Sequence, residues 1–289
     1  MFWVLERVPF GDQLYQYLQK WVTRTVPKKH SGFPFYTERV ERYVDAYERY
    51  GANLRTARYL EFGAGYDLFY PFGLWCFGIN DLLVIDLYAL ARKEYLNHII
   101  AGLQKHPPKG ARRIPEAVLS SQVHRDLKKF YGITYMAPGD ARHVERPDGS
   151  IDLVSTTSTL EHVPFKDLET IMCELKRLCG ANAVLTMIID YADHYANVDP
   201  SITPYNFLQY SEKEWAKYSP AIHYQSRKRH HQYRELFNRC GFEVLEEDGK
   251  RPDNWKDLIE RQRFDPEFAS MEPSAVAITA GFFVLRPSA

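Results

Sequence analysis

Arg58-Tyr59-Leu60-Glu61-Phe62 followed by Gly63-Ala64-Gly65-Tyr66-Asp67 is the stretch on which the fold reading turns. The first five residues alternate as a short strand does, and Gly-x-Gly then lets the backbone approach a nucleotide-like ligand closely before a helix begins. A dinucleotide site calls for G-x-G-x-x-G, but the third glycine position is Leu68, which weakens a nicotinamide or flavin reading. Downstream, Asp81-Leu82-Leu83-Val84-Ile85-Asp86 reads as a second strand ending in an acid, Ile133-Thr134-Tyr135-Met136 as a third, and Ile151 to Thr157 as a fourth. Residues 91–104 and 166–179 carry helical spacing, the latter stopped by Gly180. The near-continuous apolar run Ala183 to Ile189 marks a strand buried on both faces. Strands alternating with helices make an α/β protein with a mostly parallel, doubly wound sheet.

Outward from this core, residues 12–26 read as a helix closed by Pro27. A second helix starts near Glu38 with Thr37 as its N-cap and stops at Gly51. It carries Val40, Tyr43, Val44, Tyr47 and Tyr50 on one stripe, whose plain reading is core packing. Lys105 to Pro115 is a proline-rich, basic surface loop. The C-terminal part reads as helix 229–240, strand Phe242 to Glu246, and a last strand Ala275 to Leu285. Residues 191–227 fit neither period and are expected to form a lid over a substrate. This divides the chain into an N-terminal helical cap (1–54), a core (55–190), a substrate cap (191–227) and a C-terminal completion of the sheet (228–289).

Composition narrows the function. Among 289 residues, hydrophobic types make up 45% and charged types 26%, the balance of a folded chain rather than a disordered one. Lys plus Arg (37) equals Asp plus Glu (37), and no basic patch is interleaved with aromatics, so no nucleic-acid partner is expected. No apolar run reaches the ~20 residues of a membrane span. Charges break the apolar run at Met1-Phe2-Trp3 early, so a cytoplasmic location is expected. Four cysteines without a C-x-x-C pair suggest neither a zinc knot nor a disulfide framework. Twenty Tyr and 17 Phe suit both a core and a pocket for an organic small molecule.

The order of Glu61-x-Gly63-x-Gly65, Asp86 ending the second strand, Gly139-Asp140-Ala141 after the third, and the run Asp148 to Val163 followed by Glu174 to Asp190 resembles the class I S-adenosylmethionine-dependent methyltransferases. The resemblance spans roughly residues 55–190. It implies a seven-stranded Rossmann-like sheet closed by an antiparallel C-terminal hairpin, with S-adenosylmethionine across the carboxyl edge and S-adenosylhomocysteine as product. Glu61, Gly63, Ala64 and Gly65 would lie near the methionine part, Asp86 and Leu87 at the ribose, Asp140 and Ala141 at the adenine, and Thr157 beside the methyl group. Two departures stand out: Asp67 replaces a frequent third glycine, and Cys179-Gly180-Ala181-Asn182 replaces the usual Pro-Gly-Gly turn.

For the acceptor side, Asp190-Tyr191-Ala192-Asp193-His194 falls at the carboxyl end of the fifth strand. His194 is the preferred base because imidazole titrates near working pH, with Asp193 to orient it; His162 and His223 come next. Two carboxylates and an imidazole are legitimate metal ligands, but no further acid is spaced to complete a site, so no metal is assigned. Arg227-Lys228-Arg229-His230-His231 reads as a solvated helix start or a receiver of an anionic substrate. The expected function is methyl transfer to an O or N acceptor of a small molecule such as a sugar, glycan precursor or secondary metabolite. The alternative is a non-catalytic nucleoside-binding or partner-recognition module on the same fold.

Overall fold

The computed structural model describes residues 28–220 and 224–288, so the helix expected over 12–26 and the candidate His223 lie outside the described residues. The elements run α1 (Phe33–Arg49), β1 (Arg58–Phe62), α2 (Phe69–Cys76), β2 (Asp81–Ile85), α3 (Lys93–Lys105), α4 (Val123–Tyr131), β3 (Ile133–Met136) and β4 (Ile151–Thr157). They continue with α5 (Phe165–Leu178), β5 (Cys179–Asp190), α6 (Glu212–Trp215), α7 (His230–Arg239), β6 (Phe242–Lys250), α8 (Trp255–Arg261), α9 (Pro266–Ala269), α10 (Pro273–Val276) and β7 (Ala280–Pro287). The seven strands form one sheet in the order β3-β2-β1-β4-β5-β7-β6. The first five are parallel, whereas β7 inserts antiparallel between β5 and β6.

Period-two alternation sorts the strand side chains into two cores. Tyr59, Leu82, Val84 and Leu153 face α1 to α4, while Leu60, Phe62, Leu83, Ile85 and Val154 face α5 and α7. Helix α1 begins four residues before the expected Thr37 cap. Pro34 sits at its first turn, where a missing N–H costs nothing, and Thr37 instead donates to the Pro34 carbonyl at 3.1 Å. The helix lies close against α2, since a Cβ on Gly73 would come within 2.6 Å of Val40. Helix α4 was not expected from the sequence: only Leu127 and Tyr131 give it a buried apolar face. Strand β5 starts at Cys179, so Cys179-Gly180-Ala181-Asn182 is part of the strand rather than a turn before it.

Residues after β5 do not pack alone. Tyr205, Phe207, Leu208 and Trp215 share a third apolar cluster with Phe268, Val276 and Ala277, so the segment before β7 joins the one after β5. The basic run 227–231 corrects the sequence reading. Arg229 is fully buried and donates to the carbonyls of Tyr191 (2.9 Å), Val276 (2.7 Å) and Ile278. Arg227 is 9% exposed and donates to the Tyr210 carbonyl, and the His230 ring stacks on Phe283 at 4.4 Å. This run is a staple between the third cluster and the sheet, not a solvated face. Burial lowers the Arg229 guanidinium to about 10, still charged at neutral pH. Arg229→Met, which keeps the stem but strands three carbonyls, is expected to cost ~2–4 kcal/mol, read from the urea midpoint of unfolding.

Candidate active site

At the carboxyl edge of the sheet, two cavities of about 280 and 260 Å³ adjoin and share Gly63. The first is lined by Glu61, Gly63, Ala64, Gly65 and Thr157, the second by Gly63, Asp86, Leu87, Asp140 and Ala141. All nine residues singled out from the motifs therefore border this pair of cavities, which meet at Gly63. They open where β1 and β4 meet and the strand order reverses, the position at which ligands enter open α/β sheets.

Gly63 makes the crevice possible. Its φ of +72° belongs to the left-handed region, and an added Cβ would fall 2.2 Å from Thr159 Cγ2. Thr159 Oγ1 donates to the Gly63 carbonyl at 3.0 Å and so clamps the β1 turn to the β4 turn. Leu68, at the third position of a dinucleotide fingerprint, is also left-handed (φ 51°) but fully buried. That conformation costs a leucine ~1–2 kcal/mol, which its packing in the core offsets. Asp67 receives Lys28 Nζ at 2.7 and 2.8 Å, so the acid replacing the usual third glycine anchors residue 28 to the turn.

Glu61 is 1% exposed, and the Tyr59 hydroxyl donates to it at 3.1 Å. Burial pushes its carboxyl up to about 8; the Tyr59 bond and Lys28 pull it back, while Asp67 and Asp86 add to the rise. Among the described residues no cation forms an ion pair with Glu61, so a cationic ammonium entering this cavity would meet an acid that has none. Asp86 is also raised by burial, against backbone bonds that hold the carboxylate. One oxygen accepts from Gly65 N–H at 2.8 Å and the other from Tyr88 N–H at 3.4 Å, so Asp86 shapes the glycine turn and keeps lone pairs toward the second cavity. Asp140 is less available than its motif suggests. Both its oxygens are held in a fork by Arg142, which keeps the carboxyl below its usual range, and Arg142 also reaches Asp167.

Helix α1 adds hydroxyls to the same wall. Tyr43 Oη lies 2.6 Å from Thr157 Oγ1, and Tyr47 Oη bonds the Val154 carbonyl and Thr186, both at 2.9 Å. The tyrosine stripe is thus core packing with its polar ends aligned on β4 and β5.

On the acceptor side the structure redistributes the expected roles. Asp193 is fully buried; it caps the turn His194–Asn197 by accepting from Tyr195 N–H at 2.8 Å and also accepts from Asn206 at 2.9 Å. It does not orient His194. The acid facing that ring is Asp190, whose Oδ2 lies 3.6 Å from Nε2. Burial works to raise Asp190, but the His194 imidazole and the Ala192 N–H hold it below the usual carboxylate range. The rings of His162 and His194 lie 4.9 Å apart. Although its outer edge is exposed, His162 is pulled below its ordinary value by loss of surrounding water and then by facing His194. Sequence reasoning passed over Glu161, which is 1% exposed in the same cluster; an acid beside His162 in the turn after β4 was the available signal.

The sheet order, the antiparallel hairpin and the paired cavities at the β1/β4 junction define the class I methyltransferase fold. Residues 115–187 match the family described as a methyltransferase domain. That stretch is similar to the methyltransferase domain family, whose members use S-adenosylmethionine as methyl donor. Among solved structures, a candidate sarcosine dimethylglycine methyltransferase from Galdieria sulphuraria is 16% identical, with 87% of this chain and 86% of that one covered and a TM-score of 0.51. The PH0226 protein from Pyrococcus horikoshii OT3 is 13% identical, with 94% and 99% covered and a TM-score of 0.51. At these identities the likeness concerns the fold alone. No curated protein matches the chain. Among the described residues no helix is long and apolar enough to cross a membrane.

Glu61 yields a pH test. Its folded carboxyl titrates near 8 against about 4.5 unfolded, so between these values the folded state binds the extra proton and stability falls as pH rises. Glu61→Gln should therefore raise the melting temperature relative to wild type little at pH 5 and most at pH 9, the gap reaching on the order of a few kcal/mol. A gap that does not grow with pH would show Glu61 to be ionised in the free protein. Gly63→Val should lower both stability and S-adenosylhomocysteine affinity, measured by thermal melts and calorimetry, because both the φ and the Thr159 contact exclude a side chain.

Proposed function

We propose that the chain transfers the methyl group of S-adenosylmethionine to an oxygen or nitrogen of a small-molecule acceptor, in the class of sugars, glycan precursors or secondary metabolites. The observation that carries this reading is the grouping of Asp190, His194 and His162 at the carboxyl ends of β4 and β5, where His162 also lines the second cavity. When bound, S-adenosylmethionine supplies an electrophilic methyl carbon. The residues present fit it: Glu61 is a buried acid with no ion pair to a described side chain, and Asp86 keeps acceptor capacity for two ribose hydroxyls beside an open glycine turn.

Methyl transfer is an in-line displacement, so the protein's work is alignment, exclusion of water and removal of one proton. In this reading Tyr43 and Thr157 fix the wall at the transfer centre. His194 takes the acceptor proton and Asp190 stabilises the resulting imidazolium. Residues 191–227, joined through the third cluster by 251–279, act as the cap that closes over the acceptor. A neutral charge balance, 37 basic against 37 acidic side chains, supports a small acceptor over a polyanion.

Two measurements test the proposal. Asp86→Ala should bind S-adenosylhomocysteine at least tenfold more weakly by calorimetry, since hydrogen bonds to a charged acceptor contribute ~1.5–3 kcal/mol each. Unchanged affinity, or a preference for NAD, would sink the cofactor assignment. With an acceptor found by screening, His194→Ala should leave cofactor affinity nearly intact and lower turnover ~10²–10⁴-fold. Wild-type turnover in that variant would remove His194 from the chemistry. Asp193→Asn should act instead through stability, because its contacts are caps.

A further inference from the structure

Burial, chemistry and convergence single out one group. Glu161 and His162 lie in the turn Leu160–His162 that follows β4, and His194 opens the turn that follows β5. One ligand atom from each of the three lies within 4.8 Å of the other two. Both carboxylate oxygens of Glu161 are buried without a hydrogen-bond partner, in a side chain 1% exposed. Carboxylates placed so deeply are ordinarily paired, hydrogen-bonded or bound to a metal. Nearby backbone amides of Glu161 and Asp190 only temper the burial, and the adjacent Asp190 charge makes it worse. The environment therefore calls for a positive charge that no described side chain in contact supplies.

The rest of the cluster is arranged as a ligand set requires. His162 Nδ1 lies 2.9 Å from the Tyr224 carbonyl, which only accepts, so Nδ1 carries the proton and Nε2 presents its lone pair. Metal-binding histidines are oriented by this kind of bond on the second nitrogen. The Glu161 carbonyl accepts from Ser226 N–H at 2.7 Å, and the His194 N–H donates to Gln225 Oε1 at 3.1 Å, which ties both turns to one segment. Asp190 stands at the edge, 3.6 Å from His194 Nε2.

We infer that Glu161, His162 and His194 form a site for one first-row divalent metal ion, with Asp190 beside it. Two imidazole nitrogens and one carboxylate favour the series from Mn²⁺ to Zn²⁺ over Mg²⁺ or Ca²⁺, which prefer oxygen ligands throughout. Coordination at about 2.0–2.2 Å needs the ligand atoms to draw together slightly from their present spacing, a side-chain adjustment. Of the three, His162 also lines the second cavity of the crevice, where further ligands to the ion could come from solvent or an acceptor. The site stands without the methyltransferase proposal, but its use in catalysis rests on that reading. In the metal-loaded protein His194 is a ligand and is not free to take a proton, so the base role given to it above belongs to the metal-free state.

The test titrates the metal-stripped full chain with Co²⁺, read by visible absorption and calorimetry, with S-adenosylhomocysteine binding measured on the same samples. One Co²⁺ per chain is expected, weakened at least tenfold by Glu161→Gln and by His162→Asn. His106→Ala, at an exposed histidine in another part of the surface, should bind Co²⁺ as wild type does. Circular dichroism verifies that each variant is folded, and His162→Asn, at a partly exposed position, keeps the test decisive where Glu161→Gln does not fold. No Co²⁺ binding, binding untouched by both variants, or binding abolished by His106→Ala overturns the site. Intact S-adenosylhomocysteine binding alongside absent Co²⁺ binding strikes the metal site alone. The reverse pattern strikes the methyltransferase reading and leaves the metal site standing.

Discussion

The reversal of strand order between β1 and β4 is the constraint on which the site depends. Strands that turn to opposite faces after neighbouring carboxyl ends cannot cover the gap between them, and a crevice remains. Here the two departing turns are held at a fixed separation by Thr159 bonding the Gly63 carbonyl, with no space for even a methyl group at residue 63. The same junction collects charge away from water. Glu61 at the end of β1 and Glu161 after β4 are each 1% exposed, and burial raises the carboxyl of both. Burial disfavours the ionised form of each, and in the readings proposed above each meets a cation, the donor's ammonium at Glu61 and a metal ion at Glu161.

Behind the crevice the core is polar in a controlled way. Tyr43, Tyr47 and Tyr59 put their rings among aliphatic neighbours, yet each hydroxyl finds Thr157, Thr186, Ser155 or Glu61. Each bond satisfies a group that would otherwise be costly to bury. Because α1 holds two of these tyrosines one turn apart, its register against β4 and β5 is set by hydrogen bonds as well as by shape. The wall next to Thr157 is held by these hydrogen bonds as well as by packing.

Elements whose stabilisation is local were legible in the sequence. The bounds of β1, β3 and β4 follow from alternation and flanking turns, and the glycine turn with its acids is read directly from residues 61–86. What was hidden depends on partners distant in the chain. Helix α4 buries only Asp126, Leu127 and Tyr131, too few for a period to emerge. Arg229 looks like a surface charge until the carbonyls of residues 191, 276 and 278 converge on it. Sequence places Asp193 next to His194 and Asp190 four residues before it; the cap formed with Asn206 turns Asp193 away and leaves Asp190 facing the ring. Glu161 gave no sign of its burial because the chain that covers it arrives from residues 224–226.

The antiparallel insertion of β7 has a consequence for synthesis. Strand β5 is buried along most of its length, and its outer edge pairs with β7, the last of the seven described strands to be synthesised. Until then the nascent chain presents an open, apolar edge with unpaired amides, the kind of surface that recruits other strands. Strand β6, made earlier, cannot cover it, since its own neighbour in the sheet is also β7. Truncation just before residue 280 thus removes the one strand that joins both halves of the hairpin to the sheet, so premature termination leaves an aggregation-prone intermediate rather than a smaller domain.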